Sequence, residues 1–185
     1  MNPSGRACRV CHARDMQSPE ASPWVARFAD LVPAGGRVLD VACGGGRHAR
    51  FFLGQGHPVT VVDRDVSGVA DLDEDPNVEV LEFDLEAGKP WPFAGRVFGV
   101  VVVANYLWRP ILADLVASVA PGGVLLYETF ARGQERFGHP RNPDFLLRPG
   151  ELLDAVRGEL RVAAYEDLIV EEPATKAVQR IAAVR

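Results

Sequence analysis

Residues 37–65 read RVLDVACGGGRHARFFLGQGHPVTVVDRD, and this stretch decides the fold. The apolar residues within 38–41 predict a short strand, and three consecutive glycines follow it at 44–46. Residues 49–53 supply the apolar positions of a helix, and the β-branched run within 58–63 predicts a second strand that stops at an aspartate. Strand, glycine turn, helix, strand and acid, in that order, are typical of a nucleotide-binding βαβ unit.

The same stretch fits two classes of cofactor. Glycine lets the backbone approach a ligand closely, and the helix behind it begins with free N–H groups. Gly44, Gly46 and Ala49 match the G-x-G-x-x-G/A pattern of a dinucleotide site, and Asp63 follows at about the expected ~20-residue spacing. An acid in that place can accept both hydroxyls of a ribose. The pattern therefore leaves NAD(P) and S-adenosylmethionine open.

Three further features favour S-adenosylmethionine. Asp40 lies just before the glycines, where a carboxylate would repel a pyrophosphate but attract a sulfonium and an ammonium group. Asp84 ends a third strand-like run, 78–83, where it can accept a hydrogen bond from an adenine amino group. Two final strand-like runs, 160–170 and 177–184, are joined by a gap that permits an antiparallel pair and is too short for a parallel crossover.

On these residues, the chain resembles the class I S-adenosylmethionine-dependent methyltransferases over roughly 20–185. The resemblance rests on 38–63, on Asp84 and on the Pro-Gly-Gly turn at 121–123. The family's acid-x-Gly-x-Gly-x-Gly loop reads DVACGGG at 40–46, with alanine in place of the first glycine. The resemblance implies an α/β fold, a Rossmann-like, doubly wound and mostly parallel seven-stranded sheet with a C-terminal antiparallel hairpin.

The resemblance also implies how the cofactor is held. Asp40 and the backbone of 42–46 would hold the methionine part of S-adenosylmethionine, Asp63 the ribose, and Asp84 the adenine amino group. Cys43 is interpreted as a packing residue, with a reactive thiol at a helix N-terminus as the alternative. The expected cofactor-binding residues are Asp40, Ala42, Cys43, Gly44, Gly46, Asp63, Arg64, Asp84, Leu85 and Asn105.

The methyl acceptor is expected at the carboxyl ends of the strands, where open α/β sheets bind ligands. The apolar run 97–103 predicts a central strand, and 124–129 predicts another that ends near Glu128, with a solvent-exposed terminus as the alternative for that glutamate. The long loop 130–148 is rich in arginine, and we interpret it as a lid that attracts an anion. The candidate substrate-binding residues are Tyr106, Trp108, Glu128, Arg136 and Arg141, and the candidate bases are Tyr106 and His139.

The nature of the acceptor is less constrained. Residues 145–153, FLLRPGELL, resemble a segment of small methyltransferases of the tellurite-resistance type, which suggests a thiol or a chalcogen oxyanion. No Asn/Asp-Pro-Pro-aromatic tetrad follows the run 97–103, which argues against the planar amino groups of bases and glutamine. Two other classes stay open: an NAD(P)-binding oxidoreductase, and a non-catalytic S-adenosylmethionine-binding protein.

Composition limits the class of partner. A chain of 185 residues, 48% hydrophobic and 24% charged, suits one globular domain. Its net charge of −5 provides no general attraction to nucleic acid or anionic membrane. No apolar run is long enough to span a bilayer, residues 1–20 lack the apolar segment of a secretory signal, and three cysteines fit a reducing compartment. We therefore expect a cytoplasmic protein with a small-molecule acceptor, without nucleic-acid or membrane partners.

The first residues are expected to stand apart from the domain. Residues 1–17 are polar and contain CRVCH at 8–12, a motif of haem attachment or half of a zinc site. Haem attachment requires export and zinc requires a fourth ligand, so we interpret the motif as a chance match in a disordered leader and expect no metal. Residues 18–32 predict a helix capped by Ser18, and 18–185 are expected to form one methyltransferase domain.

Overall fold

A seven-stranded sheet organises the computed structural model, which describes residues 20–172 and 174–185. Its order is β3-β2-β1-β4-β5-β7-β6. The strands β1 to β5 run parallel, whereas β7 is antiparallel to both β5 and β6. The predicted sheet with its C-terminal hairpin is confirmed. The strands are β1 (Val38–Val41), β2 (Val59–Asp63), β3 (Val78–Glu82), β4 (Phe98–Ala104), β5 (Val119–Phe130), β6 (Arg161–Val170) and β7 (Lys176–Val184).

Helices cover both faces of the sheet, so the fold is doubly wound. On one face lie α1 (Pro23–Arg27) and α2 (Arg47–Gly54), and on the other lie α3 (Leu112–Ala117) and α4 (Glu151–Val156). Short 3₁₀ helices occupy several connections: Ala29–Leu31, Ser67–Leu72, Arg109–Ile111, Gln134–Arg136 and Pro143–Phe145.

The central strands explain the unbroken apolar runs of the sequence. In β4, Val100 and Val102 pack under α1 and α2, while Val101 and Val103 pack under α3 and α4. All four valines are fully buried. Complete burial of such a side chain contributes roughly 1.5–3 kcal/mol. A strand covered on both sides is therefore apolar at every position, and its carboxyl end is the edge left open for a ligand.

Helix α1 begins later than the sequence predicts. Its N-cap is Ser22, whose Oγ accepts a hydrogen bond from the N–H of Val25 at 3.1 Å, and Pro23 occupies the first helical position. A proline fits there because its ring holds a helical φ and no N–H is needed. The prediction of Ser18 as the cap was wrong. Ser18 itself, the expected leader 1–17 and its CRVCH motif lie outside the described residues.

The Pro-Gly-Gly segment at 121–123 is an irregularity within β5, which begins at Val119 instead of 124. Val119 pairs with Phe98 and Val124 with Val100, so the register shifts between them. A side chain on Gly123 would lie 2.9 Å from three carbonyl oxygens, which explains why glycine stands there.

Candidate cofactor and acceptor site

A cleft opens at the carboxyl ends of the parallel strands. It holds about 640 Å³ of empty space, counting the part that is open to solvent. Its polar residues lie mainly at the tips of β2 to β4, whereas β5 and the 131–147 loop add mainly apolar side chains. The polar lining is Asp63, Arg64, Asp84, Glu86, Asn105 and Thr129, and the apolar lining is Ala42, Phe83, Leu85, Tyr106, Leu107, Phe130, Pro140 and Phe145.

Asp63 is oriented by the backbone on both sides. Its Oδ2 accepts a hydrogen bond from the N–H of Gly44 at 2.9 Å, and its Oδ1 accepts one from the N–H of Asp65 at 3.1 Å. The residue is 3% exposed yet lines the cleft. Asp63 therefore ties the end of β2 to the glycine loop, and its carboxylate is already positioned for a ligand with hydroxyl groups.

The glycine loop adopts the left-handed backbone conformation that its sequence requires. The φ angles are +53° at Ala42, +53° at Gly44 and +71° at Gly46. A non-glycine residue at such an angle is uncommon. Ala42 nonetheless takes a left-handed conformation that glycine adopts readily, and it belongs to the cleft lining.

Asp40 lies beneath the loop and outside the described cleft lining. It is 1% exposed, its Oδ2 accepts a hydrogen bond from the N–H of Ala49 at 3.1 Å, and its Oδ1 lies 4.0 Å from Nδ1 of His48. Burial raises the pKa of Asp40 to about 7, against the opposing effects of the Ala49 hydrogen bond and of Arg47. Asp40 thus holds the first turn of α2 in place from inside the fold.

The Cys43 side chain is buried in the core beside the same loop. Burial, and then the charges of Asp40 and Asp63, raise the pKa of the Cys43 thiol above its ordinary value. A protonated thiol is a poor nucleophile, so this environment favours packing over reactivity.

A sharp turn after β4 places two side chains in the cleft. Asn105 has φ +55°, and its N–H donates to the carbonyl of Glu128 at 2.9 Å. The hydroxyl of Tyr127 donates to the carbonyl of Tyr106 at 2.9 Å. Burial, followed by the charge of Glu86, raises the pKa of Tyr106 above its ordinary value. Its hydroxyl is therefore protonated at neutral pH and can donate a hydrogen bond to a ligand.

On the other side of the cleft, Asp84 is exposed after β3. Its Oδ1 accepts a hydrogen bond from the N–H of Glu86 at 2.9 Å, which fixes the turn that carries both carboxylates.

The structure brings together some of the expected residues and separates others. Six of the ten expected cofactor-binding residues belong to the described cleft lining: Ala42, Asp63, Arg64, Asp84, Leu85 and Asn105. Asp40, Cys43, Gly44 and Gly46 lie in or under the glycine loop, outside that lining. Of the candidates for substrate binding or catalysis, Tyr106 lines the cleft, whereas Trp108, Glu128, Arg136, His139 and Arg141 do not belong to its described lining.

Glu128 is buried, so its alternative reading as a solvent-exposed terminus was wrong. It faces Nε of Arg180 across the β5–β7 pair at 3.4 Å. Arg136, His139 and Arg141 are exposed on the 131–147 loop. The structure therefore places none of these three residues in the described cleft lining.

Several residues of the cleft were not predicted from the sequence. Thr129 and Phe130 end β5, and Glu86 follows β3, so the rule that ligands bind at carboxyl ends of strands could have found them. Pro140 and Phe145 carry no such signal, because only the path of the loop brings them to the cleft.

That path is held by a clasp centred on Arg109. Its guanidinium binds both carboxylate oxygens of Glu151, at 2.7 and 3.0 Å, and donates to the carbonyls of Asp144 at 2.6 Å and Leu146 at 2.9 Å. Burial alone would raise the pKa of Glu151, but the hydrogen bonds from Arg109 and Arg148 lower it to about 2. The clasp therefore stays charged at neutral pH and fixes the loop near Phe145.

A buried glutamine anchors the other end of the loop. The amide of Gln134 donates to the carbonyl of His139 at 3.1 Å and accepts from the N–H of Ala177 in β7 at 3.0 Å. With both ends fixed, the loop presents Pro140 and Phe145 to the cleft as a wall.

Within the described residues, no group of three or more His, Cys, Asp or Glu side chains could hold a metal ion. Nor does the described part of the chain contain a helix long and apolar enough to cross a bilayer.

Comparison with known proteins identifies the architecture. A family model described as a methyltransferase domain matches residues 12–148. TehB from Haemophilus influenzae is 18% identical with a TM-score of 0.70, over 88% of this chain and 61% of TehB. An S-adenosylmethionine-dependent methyltransferase from Mesorhizobium loti is 16% identical with a TM-score of 0.68, over 91% of this chain and 100% of that one.

The glycopeptide N-methyltransferase MtfA, solved with S-adenosyl-L-homocysteine, is 22% identical with a TM-score of 0.57, over 86% of this chain and 87% of MtfA. Identities this low establish a shared fold. The chain spans only 61% of the length of TehB. None of the curated proteins compared with the sequence matches it.

Proposed function

The chain belongs to the family of methyltransferase domains, and from that premise we propose that it transfers a methyl group from S-adenosylmethionine to a small-molecule acceptor. Of the two cofactors considered for the glycine loop, the family model supports S-adenosylmethionine, and so does the shared fold with MtfA, which was solved with S-adenosyl-L-methionine. The cofactor is S-adenosylmethionine, and the oxidoreductase alternative is set aside.

The observation that carries the proposal is the oriented carboxylate of Asp63 beside the glycine loop. A ribose needs a hydrogen-bond acceptor there, and both oxygens of Asp63 are held in place by backbone donors. The same cleft is lined by Asp84 and Glu86, so its charge suits a sulfonium and opposes a pyrophosphate. The residues present therefore fit S-adenosylmethionine.

We assign the parts of the cofactor to this chain's residues as follows. Asp63 would accept hydrogen bonds from the ribose hydroxyls, Asp84 would accept one from the adenine amino group, and the backbone of 42–46 would hold the methionine part. Bound in this way, S-adenosylmethionine supplies a methyl group on a positively charged sulfur. Alignment of an acceptor with that group can contribute up to about 7–11 kcal/mol to catalysis.

Neither candidate base is placed to remove a proton. His139 is exposed and outside the described cleft lining, and Tyr106 holds its own proton because burial raises its pKa. This arrangement supports an acceptor whose nucleophile needs no protein base. The thiol or chalcogen oxyanion suggested by the sequence has that property, and so does a neutral amine. Cysteine usage and net charge support a cytoplasmic location and a partner that is not nucleic acid.

Calorimetry with S-adenosylhomocysteine and with NAD⁺ tests the cofactor site. We expect S-adenosylhomocysteine to bind and to stabilise the fold, by about 2.7 kcal/mol at a hundredfold excess over its Kd. NAD⁺ should do neither. Stabilisation by NAD⁺ alone would reverse the proposal.

Mass spectrometry of methyl transfer from S-adenosylmethionine to amines, thiols, selenite and tellurite tests the reaction. Formation of a methylated product is expected. Binding of S-adenosylhomocysteine without transfer to any acceptor would favour the non-catalytic alternative.

A further inference from the structure

The walls of the cleft differ in chemistry from one side to the other. Near β5 and the loop they are formed by Tyr106, Leu107, Phe130, Pro140 and Phe145, with Thr129 as the polar group. These side chains offer apolar area and aromatic faces. Such a surface fits a ligand with an apolar or aromatic body, and aromatic faces also attract organic cations.

Positive charge is scarce within this cleft. Among the described lining residues, Arg64 is the one Lys, Arg or His, and it follows directly after Asp63 at the tip of β2. The cations of the loop, Arg136 and Arg141 among them, are exposed and outside the described lining. The guanidinium of Arg109 is engaged by Glu151 and two carbonyls.

Negative charge, by contrast, belongs to the same cleft lining as the apolar wall. Glu86 is partly buried in the cleft lining, next along the chain from the Asp84 turn. Glu86 and Tyr106 belong to the same cleft lining, and the charge of Glu86 adds to the effect of burial in raising the pKa of Tyr106. An oxyanion entering here would meet Asp63, Asp84 and Glu86, with repulsion from each.

Resting on the proposed function, we propose that the methyl acceptor is an aliphatic amine on an apolar or aromatic body, and that Glu86 is the carboxylate that recognises its nitrogen. The ammonium form is drawn to the cleft by Glu86 and by the aromatic wall. The turn after β4 reads Asn105-Tyr106-Leu107-Trp108, without the tetrad that marks planar amino acceptors, which favours an aliphatic amine over a planar amino group.

The reaction balances without a further reagent. The ammonium first releases one proton to solvent, and the nitrogen lone pair then forms a bond to the methyl carbon. The carbon–sulfur bond breaks with its electron pair left on sulfur, giving S-adenosylhomocysteine. Positive charge moves from sulfur to nitrogen, where Glu86 stabilises it as it develops. The methylated ammonium leaves as the product or releases a second proton to water.

Binding to the full chain loaded with S-adenosylhomocysteine tests the inference directly. The probes are 2-phenylethylamine, benzylamine and hexylamine, compared with 2-phenylethanethiol and sodium selenite. We expect calorimetry to detect at least one amine, and mass spectrometry with S-adenosylmethionine to find that amine N-methylated. Binding or methylation of the thiol or of selenite, with no amine bound or methylated, would overturn the inference.

Substitution of Glu86 separates recognition from folding. Glu86→Gln should raise KM for the amine at least tenfold while the Kd of S-adenosylhomocysteine changes less than twofold. Glu86→Asp should restore part of the amine affinity. Glu74→Gln is the control, because it removes an exposed carboxylate outside the described cleft lining. It should change neither the KM for the amine nor the Kd of S-adenosylhomocysteine. An unchanged KM in Glu86→Gln would also overturn the inference. If the unmodified protein did not bind S-adenosylhomocysteine, the proposed function itself would be overturned.

Discussion

At the scale of single residues, three aspartates at the tips of neighbouring strands have different environments. Asp63 is buried but faces the cleft, Asp84 is exposed, and Asp40 is enclosed beneath the glycine loop. Each lies at or near the carboxyl end of a parallel strand, so the sequence pattern alone does not distinguish them. Burial and hydrogen bonding distinguish them: Asp63 lines the cleft, which supports its proposed ribose-binding role, whereas Asp40 supports the first turn of α2.

The protonation of Asp40 predicts a pH-dependent stability. Its pKa is 3.8 in an unperturbed carboxyl and about 7 in the fold, so the native state holds a proton that the unfolded chain loses between those values. Stability from this residue is therefore complete below pH 3.8 and falls up to about pH 7, by roughly 1.4 kcal/mol per pH unit.

Asp40→Asn removes this titration and retains an oxygen that can accept from Ala49. We expect the variant to gain stability relative to the unmodified protein as pH rises from 4 to 7, with no further gain above that range. Urea unfolding at several pH values measures the difference. A difference that is independent of pH would show that Asp40 ionises as freely in the fold as in the unfolded chain.

Replacement of Asp63 by asparagine predicts a loss of cofactor affinity. The amide retains one acceptor oxygen but loses the charge and the second acceptor, so we expect about 1.5–3 kcal/mol weaker binding of S-adenosylhomocysteine. Calorimetry measures the Kd. A thermal melting curve checks that the variant, which alters the contact with Gly44, remains folded. Asp73→Asn, at an exposed position, is the matched control. An unaltered Kd in Asp63→Asn would exclude the ribose role.

At the scale of elements, the 3₁₀ helix Ser67–Leu72 supports the glycine loop from below. A methyl group on Gly68 would lie 2.8 Å from the carbonyl oxygen of Gly44 and 3.1 Å from Cα of Gly45. Both are backbone atoms, so the loop itself would have to move. The glycine loop can therefore keep its shape only if the 3₁₀ helix packs closely against it.

Gly68→Ala is therefore expected to weaken S-adenosylhomocysteine binding and to destabilise the fold, by on the order of 1–3 kcal/mol for overpacking. Gly54→Ala is the control, because a methyl group at the end of α2 meets no atom within 4 Å. It should leave affinity unchanged and stabilise the fold by up to about 1 kcal/mol. Equal effects of the two substitutions on affinity would contradict the supporting role of the 3₁₀ helix.

The Arg109 clasp predicts a second element-scale effect. Arg109→Lys keeps the charge but loses the bidentate contact with Glu151 and the hydrogen bonds to two carbonyls. We therefore expect the free energy of unfolding to fall by roughly 1.5–3 kcal/mol. Hydrogen exchange in 131–147 should become faster. Arg157→Lys, in an exposed ion pair with Asp154, should cost less than about 0.5 kcal/mol. Unchanged exchange in the Arg109 variant would mean that Gln134 alone holds the loop.

At the scale of the whole molecule, protection from hydrogen exchange should fall from the centre of the sheet to its edges. β1 and β4 are buried and paired on both sides, whereas β3 and β6 are edge strands with many exposed residues. Edge strands open with less loss of packing. Mass spectrometry of exchanging amides should therefore find β3 and β6 labelled first. Equal protection across the sheet would mean that the fold opens only as one unit.

Much of the architecture followed from local pattern. Strands β1, β2 and β4 and helix α2 lie within a residue or two of their predicted positions, because apolar periodicity and glycine spacing act over a few residues. The start of α1 was harder to predict, because Ser18 and Ser22 are each followed directly by a proline and so match the same cap pattern. The loop 131–147 has no strong periodicity, so its two short 3₁₀ helices were not predicted.

The sequence by itself determined the βαβ start and the order of acids and glycines, because these depend on residues close together in the chain, and it favoured S-adenosylmethionine while leaving NAD(P) open. Only the tertiary structure decided that Asp40 is enclosed while Asp63 lines the cleft, and that Arg136 and Arg141 lie outside the described cleft lining while Phe130 and Phe145 belong to it. The reason is physical: the direction of a loop side chain depends on distant anchors, here Arg109 on Glu151 and Gln134 on β7, and burial sets the charge of an acid only once the chain has closed around it.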